Sequence, residues 1–403
     1  MTASFLIYAA VALFAYGLLS KRLASTPLSG PMVFVGLGVV AYASGILEPI
    51  RVISSGIAEV LELTLALLLF TDATKVQVRS WNADMDLPTR LLTIGMPLTI
   101  VLGAFVAMLV FPSIGLIAAL IAATILAPTD AALGNAVVTN KRVPIRIREA
   151  LGIESGLNDG IALPILLFLL TLGEEAEGAG LWRLFFEEIG IGLLVGIGLG
   201  AGAALAIRFA VGKSWIAHSW VGISTVAVAF CVYLVADDMG GSGFIAAYVG
   251  GITFGRSVEP VEPSSGEFGM DLGTIFTMVS FLIFGVYILG PNLDFFTAEA
   301  VLYGILSLTV IRMIPVAISM IGTELRPPTV AYLGWFGPRG LASIIFAGVL
   351  VEGTSLGESE LVVSIVVVTV TLSVVLHGTT APWGAERYAK WYNEQDRVTD
   401  DAA

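Results

Sequence analysis

The stretch ESGLNDG, residues 154–160, sets Glu154, Ser155, Asn158 and Asp159 into a run that is otherwise Leu, Ile, Ala and Gly. On a helix, Ser155 and Asp159 are four residues apart and share a face, while Glu154 and Asn158 share the adjacent one. The first face offers a carboxylate and a hydroxyl, oxygen donors suited to a hard cation or a proton. The second offers a carboxylate for a cationic partner and an amide beside it. Few other polar groups fall inside apolar runs: Asp130 within ILAPTDAALG, Arg312, and Arg339 within GWFGPRGLAS. Two carboxylates against two arginines come close to neutrality, so a third carboxylate leaves roughly one surplus negative charge in a place where charge is expensive. A carboxylate that must be neutralised by H⁺ or by a metal ion, and never by both, obliges the two to exchange.

Plainer roles for the same residues are also open. Asp130 could cap a helix beside a proline kink, and Arg339 could only stabilise a broken helix. Glu154 with either arginine could be a purely structural ion pair. Glu62 and Asp72 could line a vestibule or simply face water. His218 and His377 lie near segment ends and read as interfacial.

The elements that must position these groups follow from composition. Hydrophobic residues make up 57% of the 403-residue chain, charged residues 13%, and mean hydropathy is +0.92. A soluble domain carries about 25% charged residues, so this chain cannot cover itself with a wetted surface and reads as an all-α polytopic membrane protein. The 45 glycines suit closely packed transmembrane helices. A net charge of −12 argues against nucleic acid as a partner. One cysteine, Cys231, excludes an intramolecular disulfide and a cysteine-built metal site, and two histidines are too few for a histidine cluster. No cofactor is expected. The chain contains no GxxxxGK[ST] run, so uphill transport would draw on an ion gradient.

Apolar windows fall near 4–20, 30–47, 52–72, 90–111, 114–138, 148–172, 185–211, 219–236, 242–255, 272–290, 298–322, 330–351 and 360–378, about thirteen spans. The first has no basic segment before it and reads as a span rather than a cleaved signal. Connections after odd-numbered spans hold Lys21, Arg22, Lys75, Arg79, Arg90, Lys141, Arg142, Arg146, Arg148, Arg208, Lys213, Arg256 and Arg326. The stretch after the last span adds Arg387, Lys390 and Arg397, whereas connections after even-numbered spans hold only Arg51 and Arg183. The positive-inside rule then puts the N-terminus outside and the C-terminus in the cytoplasm. Residues 1–378 form one transmembrane unit on this reading, and 379–403 a short cytoplasmic tail.

At about 1.5 Å per residue, Asp159 lies roughly 16 Å and Asp130 roughly 12 Å from the cytoplasmic face. Arg312 and Arg339 also fall near mid-depth. Pro128 and Gly337-Pro338 interrupt helices at the same level. Broken helices at mid-membrane in corresponding positions of two halves point to a transporter site, with spans 5–6 and 12–13 as equivalent pairs of an inverted repeat.

APTD at 127–130, ESGLNDG at 154–160 and FGPRG at 336–340 together resemble the NhaP-type sodium/proton antiporters, in the monovalent cation:proton antiporter family that also includes animal sodium–proton exchangers. FTDA at 70–73 and Arg312 ahead of Pro315 also match, in the same order along the chain. The resemblance implies an NhaA-like antiporter fold, with dimerisation helices, two crossing broken helices, and a mobile six-helix core that includes 90–172 and 298–378. It implies a homodimer in the plasma (inner) membrane of a prokaryote. It implies that Asp159, Asp130, Thr129 and Ser155 bind the ion and the proton, that Glu154 pairs with a buried arginine, Arg312 above Arg339, and that Asn158 helps hold this network. Asn158 in place of a second aspartate looks like the electroneutral branch, exchanging one Na⁺ or Li⁺ for one H⁺ by alternating access.

The rival readings are a K⁺/H⁺ antiporter, a passive cation channel and an intramembrane hydrolase. A carboxylate-and-hydroxyl cage can be retuned for K⁺ by its size. A channel would need a filter-like repeat that the sequence lacks. Carboxylates paired with arginine suit a hydrolytic dyad poorly.

Overall fold

The computed structural model describes residues 3–23, 26–47, 55–74, 86–130, 133–173, 178–258, 267–353 and 357–400. Arg51, Lys75 and Arg79, which entered the charge alternation, lie outside these residues. Among the described residues every regular element is helical. In chain order the helices are α1 (Ala3–Leu23), α2 (Gly30–Ala43), α3 (Ser55–Thr74), α4 (Asp86–Arg90), α5 (Met96–Val110), α6 (Leu116–Ile125), α7 (Asn135–Val138), α8 (Ile145–Gly173) and α9 (Gly178–Gly212). They continue with α10 (His218–Asp238), α11 (Gly243–Val258), α12 (Glu267–Ile283), α13 (Ala298–Leu308), α14 (Val310–Ser319), α15 (Pro327–Trp335), α16 (Leu341–Gly353) and α17 (Ser359–Asp400).

Each of the thirteen windows coincides with a helix or a linked pair. Among the described residues eight helical segments are long and apolar enough to cross a membrane by length and composition, and α2, α6 and α16 are shorter apolar helices. The remaining windows fall on α3 and α11. The chain is a multi-pass membrane protein, and its outward side chains, such as Leu18, Phe14 and Leu194, are the apolar ones expected against lipid.

Proline explains where helices change pitch. A π turn at Leu91–Gly95 joins α4 to α5 just ahead of Pro97, and a second at Phe284–Leu289 follows α12 just ahead of Pro291. A proline has no N–H to give the carbonyl four residues back and its ring crowds that carbonyl, so a widened turn relieves the clash without ending the rod. Span 11, expected as one helix, is divided at Thr309 (φ −114°, ψ −90°) into α13 and α14. Pro315 sits where the N–H facing the carbonyl of Ile311 is missing, but the break itself falls at Thr309.

Two interruptions matter more. Between α6 and α7 the chain leaves helical geometry at Leu126 to Asp130, and between α15 and α16 it does so at Phe336 to Gly340. These segments cross, and the Asp130 N–H donates to the Pro338 carbonyl at 2.7 Å. Around them α5, α6, α8, α13, α14, α16 and α17 pack on one another, while α9, α10 and α11 pack together with α3. The second group is held by close backbone approach, with Gly192, Gly196 and Gly200 of α9 facing α11.

The helix does not end at the expected boundary of 378. Helix α17 runs from Ser359 to Asp400, so the stretch read as a tail begins as a helical continuation of the last span. The reason is an apolar stripe at helical spacing. Ala381, Ala385, Tyr388 and Ala389 are buried against Tyr332, Leu333 and Phe336 of the preceding span.

Candidate ion site at the crossing of two broken helices

The break after α6 leaves carbonyls without helical partners, and it ends in the sequence Ala127-Pro128-Thr129-Asp130. Arg339, fully buried, supplies what they lack, its Nη1 donating to the carbonyls of Ala127 at 2.6 Å and Pro128 at 3.0 Å. Ser343 Oγ donates to the Ile125 carbonyl at 2.8 Å, closing the end of α6. The helix C-terminus, partially negative, therefore meets a guanidinium.

The opposite pole is served by Asp130. Its Oδ2 accepts the Leu341 N–H at 2.7 Å, the first amide of α16, and its Oδ1 accepts the Leu133 N–H at 3.2 Å. A carboxylate at a helix N-terminus satisfies unpaired donors and the positive end of the dipole together. Gly340 is required for this approach, because a Cβ there would collide with the Asp130 carboxylate.

Helix α8 contributes its two faces to different surroundings. Ser155 Oγ lies 2.8 Å from Thr129 Oγ1, and Asn158 Nδ2 donates to the same Thr129 Oγ1 at 2.8 Å. Asn158 thus braces the threonine rather than the glutamate one turn away. Glu154 forms a bidentate pair with Arg312, Nη1 to Oε1 at 2.6 Å and Nη2 to Oε2 at 2.8 Å, both side chains almost wholly buried. Of the two arginines considered, Arg312 is the one paired with Glu154. Gly337 makes room for it, since a Cβ there would stand 2.5 Å from Arg312 Nε.

Among Glu154, Asp130 and Asp159, the last is the carboxylate with an oxygen left over. Its Oδ1 is buried and accepts no hydrogen bond from the protein. The side chain opens with those of Thr129, Asp130 and Ser155 onto a cavity of about 60 Å³, closed on its other walls by Leu65, Leu68, Asp72 and Thr277. Asp130 and Asp72 are its like-charged neighbours. One water needs about 10–15 Å³, so the cavity has room for a small cation together with a few waters.

Glu62 is not in this cavity. It lines a separate, mostly apolar one of about 370 Å³ among Phe284, Ile344 and Val366, and accepts a hydrogen bond from Tyr233 Oη at 3.0 Å. The two cavities lie end to end along α3 and α16. The polar one reaches Leu65 and Ser343, and the apolar one begins at Leu61 and Ile344.

Three residues around the site carried no reading from sequence. Tyr248 stands in the apolar helix α11, and Thr277 lies in α12 between Thr274 and Ser280, a spacing that carried no reading. A Cβ on Gly160 would meet the Tyr248 ring at 2.6 Å, so that ring packs directly against the turn bearing Asp159. Ser343 lies three residues beyond FGPRG, at the start of a half-helix where a serine has carbonyls to satisfy, and that position was a usable signal. His377, read as interfacial, is buried, whereas His218 at the start of α10 is exposed. The i, i+4 spacing of Ser373 and His377 was the clue to a buried polar pair.

Comparison with known proteins gives a consistent picture. A family profile described as "Sodium/hydrogen exchanger, transmembrane" matches residues 9–387. The chain is 24% identical over 336 residues to a protein of Alkalimonas amylolytica named K(+)/H(+) antiporter NhaP, covering 82% of this chain and 56% of that protein. It is 27% identical over 235 residues to the sodium, potassium, lithium and rubidium/H(+) antiporter of Bacillus subtilis, covering 56% of this chain and 34% of that one. The chain therefore spans about half or less of the length of these relatives. The fold is that of the sodium proton antiporter MjNhaP1 from Methanocaldococcus jannaschii, with a TM-score of 0.75 at 18% identity, covering 96% of this chain and 98% of that structure.

Proposed function

Because the chain belongs to the sodium/hydrogen exchanger family, a family of transporters rather than enzymes, we propose that it is a secondary antiporter exchanging Na⁺ or Li⁺ for H⁺ by alternating access. The observation that carries this reading is Asp159, a carboxylate whose buried Oδ1 takes no hydrogen bond, whereas Glu154 is paired with Arg312 and Asp130 accepts the Leu341 amide. The charges of Glu154 and Arg312 cancel, Arg339 Nη1 bonds the carbonyls of the first break, and Asp130 caps the amides of Leu341 and Leu133. Asp159, beside Asp130 and Asp72, is the carboxylate that calls for a mobile positive charge, and a proton and a cation compete for it. Thr129, Ser155 and Asp130 add oxygen donors around the cation. Asn158 adds no second titrating carboxylate, which supports one-for-one, electroneutral exchange.

Movement of the helices bearing the breaks against α3 and α12 would open the site alternately along the two cavities. The six-helix core of 90–172 and 298–378 is the moving part on this reading. We place the N-terminus outside and the C-terminus in the cytoplasm, and a homodimer in the cell membrane is the working assembly. K⁺ is a second substrate reading, favoured by the name of the Alkalimonas relative. The test is dissipation of a preset ΔpH in everted vesicles or proteoliposomes on addition of Na⁺, Li⁺ or K⁺ in parallel. A response to none of them would end the antiport reading, and a response to K⁺ alone would replace Na⁺ with K⁺.

A further inference from the structure

His377 is a buried titratable side chain that the exchange reaction does not use. It lies on α17, 1% exposed, with its ring 5.2 Å from that of Trp335. Its Nε2 stands 2.9 Å from the carbonyl of Trp335, the last residue of α15. A carbonyl only accepts, so Nε2 carries a proton and donates it. On the other side, Nδ1 lies 3.1 Å from Ser373 Oγ, and that oxygen already accepts the Arg339 N–H at 2.7 Å. The serine hydroxyl then has its proton free to donate to Nδ1, which makes the imidazole neutral and fixes its tautomer. Two guanidiniums, those of Arg339 and Arg312, lie near the ring. The Ser373 carbonyl also lies 3.3 Å from Nδ1.

These bonds grip the second break at both ends. Trp335 is the residue before it, and Arg339 is next to its last. Between them stands Pro338, whose carbonyl receives the Asp130 N–H at 2.7 Å. The chain of contacts thus runs from His377 through Ser373 and the break to the backbone that carries the Asp130 carboxylate.

We propose that His377, with Ser373, is a positioning residue for the cation site: it sets the register of the Phe336–Gly340 segment and so the place of Asp130 in the cavity. The proposal rests on the antiport reading, and its test separates the two. His377→Gln keeps a donor for Trp335 and an acceptor for Ser373, His377→Leu keeps neither, and Ser373→Ala cuts the relay with minimal change of volume. In proteoliposomes the half-saturating Na⁺ concentration is expected to rise by about tenfold in His377→Leu and Ser373→Ala, the loss typical of one buried hydrogen bond. The maximal rate should stay within about twofold in both, and His377→Gln should remain close to the parent protein.

Hydrogen–deuterium exchange of the purified protein is the second readout, independent of transport. Amides of 336–341 should exchange faster in Ser373→Ala and His377→Leu and not in His377→Gln. If His377→Leu does not fold, Ser373→Ala carries both measurements. Unchanged exchange at the break in Ser373→Ala, or a fall in maximal rate with half-saturation unmoved, overturns the positioning role. An inert parent protein with the expected exchange pattern overturns the antiport reading and leaves the positioning of Asp130 standing.

Discussion

Arg339 and Asp130 stand in the two crossing breaks as reciprocal caps. Arg339, in the second break, closes the carbonyl end of the first broken helix, and Asp130, in the first, closes the amide end of the second. Neither helix end is satisfied without a residue of the other. The charges that make the crossing possible also set the electrostatics of the cavity between them.

Asp130 therefore has two separable duties. Asp130→Asn retains one acceptor for the Leu341 amide and should keep most of the thermal stability while lowering exchange by at least about tenfold. Asp130→Ala should lose a further ~1–2 kcal/mol of stability, as for loss of a helix cap. Melting of the detergent-solubilised protein beside a ΔpH assay separates these effects. Equal loss of transport and stability in both variants would reduce Asp130 to a cap.

Asp159→Ala should abolish the ΔpH response to Na⁺ and Li⁺ with little loss of folded protein, because Asp159 Oδ1 accepts no hydrogen bond that the substitution would break. Cation-dependent proton movement persisting in this variant would remove Asp159 from the site.

The Glu154–Arg312 pair is buried on both sides. Glu154→Ala strands a guanidinium in a dry interior and should destabilise the protein by about 3–5 kcal/mol. The double variant Glu154→Ala with Arg312→Met should recover folded yield, measured by size-exclusion chromatography. Additive losses would show that the pair does not act as a unit.

Glu62 and Asp72 are expected to behave differently despite lying on one helix. Asp72 lines the cavity that holds Asp159, whereas Glu62 lines the apolar one beyond Leu65. Asp72→Asn should shift the half-saturating cation concentration severalfold, and Glu62→Gln should leave it unchanged when measured from the same side. A matching shift in Glu62→Gln would place both carboxylates on one continuous path.

Exchange of one cation for one proton moves no net charge. The rate of ΔpH dissipation should be indifferent to a K⁺/valinomycin potential of either sign when Na⁺ is the substrate. Acceleration by one polarity and slowing by the other would rule out electroneutral exchange.

Much of this was legible in the residues because bilayer physics leaves few choices. Apolar length marks spans, and a proline or a charge at mid-depth must be accommodated by protein, so the breaks at Pro128 and Gly337-Pro338 could be read directly. The two faces of ESGLNDG could be read from spacing, which sends Ser155 and Asp159 to the cavity and Glu154 to an arginine. Spacing does not reveal which partner a long side chain reaches, so the bond from Asn158 to Thr129 and the remoteness of Glu62 required coordinates. The continuation of α17 past 378 was hidden because hydropathy falls there, although the buried stripe from Ala381 to Ala389 keeps helical period. The burial of His377 was missed because a histidine near a span end is ordinarily interfacial, and here the helix continues past it.

That uninterrupted helix has a mechanical consequence. Forty-two residues make a rod of roughly 63 Å, about twice the hydrocarbon thickness. One end lines the apolar cavity at Val363, the middle grips the break through Ser373 and His377, and the far part stacks Tyr388 on Tyr332 at 4.0 Å. A rod fastened at three heights cannot let the break travel alone. A displacement at Asp130 is then expected to reach the exposed residues beyond Trp391, on the far side of Pro382. A pair of spin labels there and on α9 would register each stroke of the transporter far from the ion that drives it.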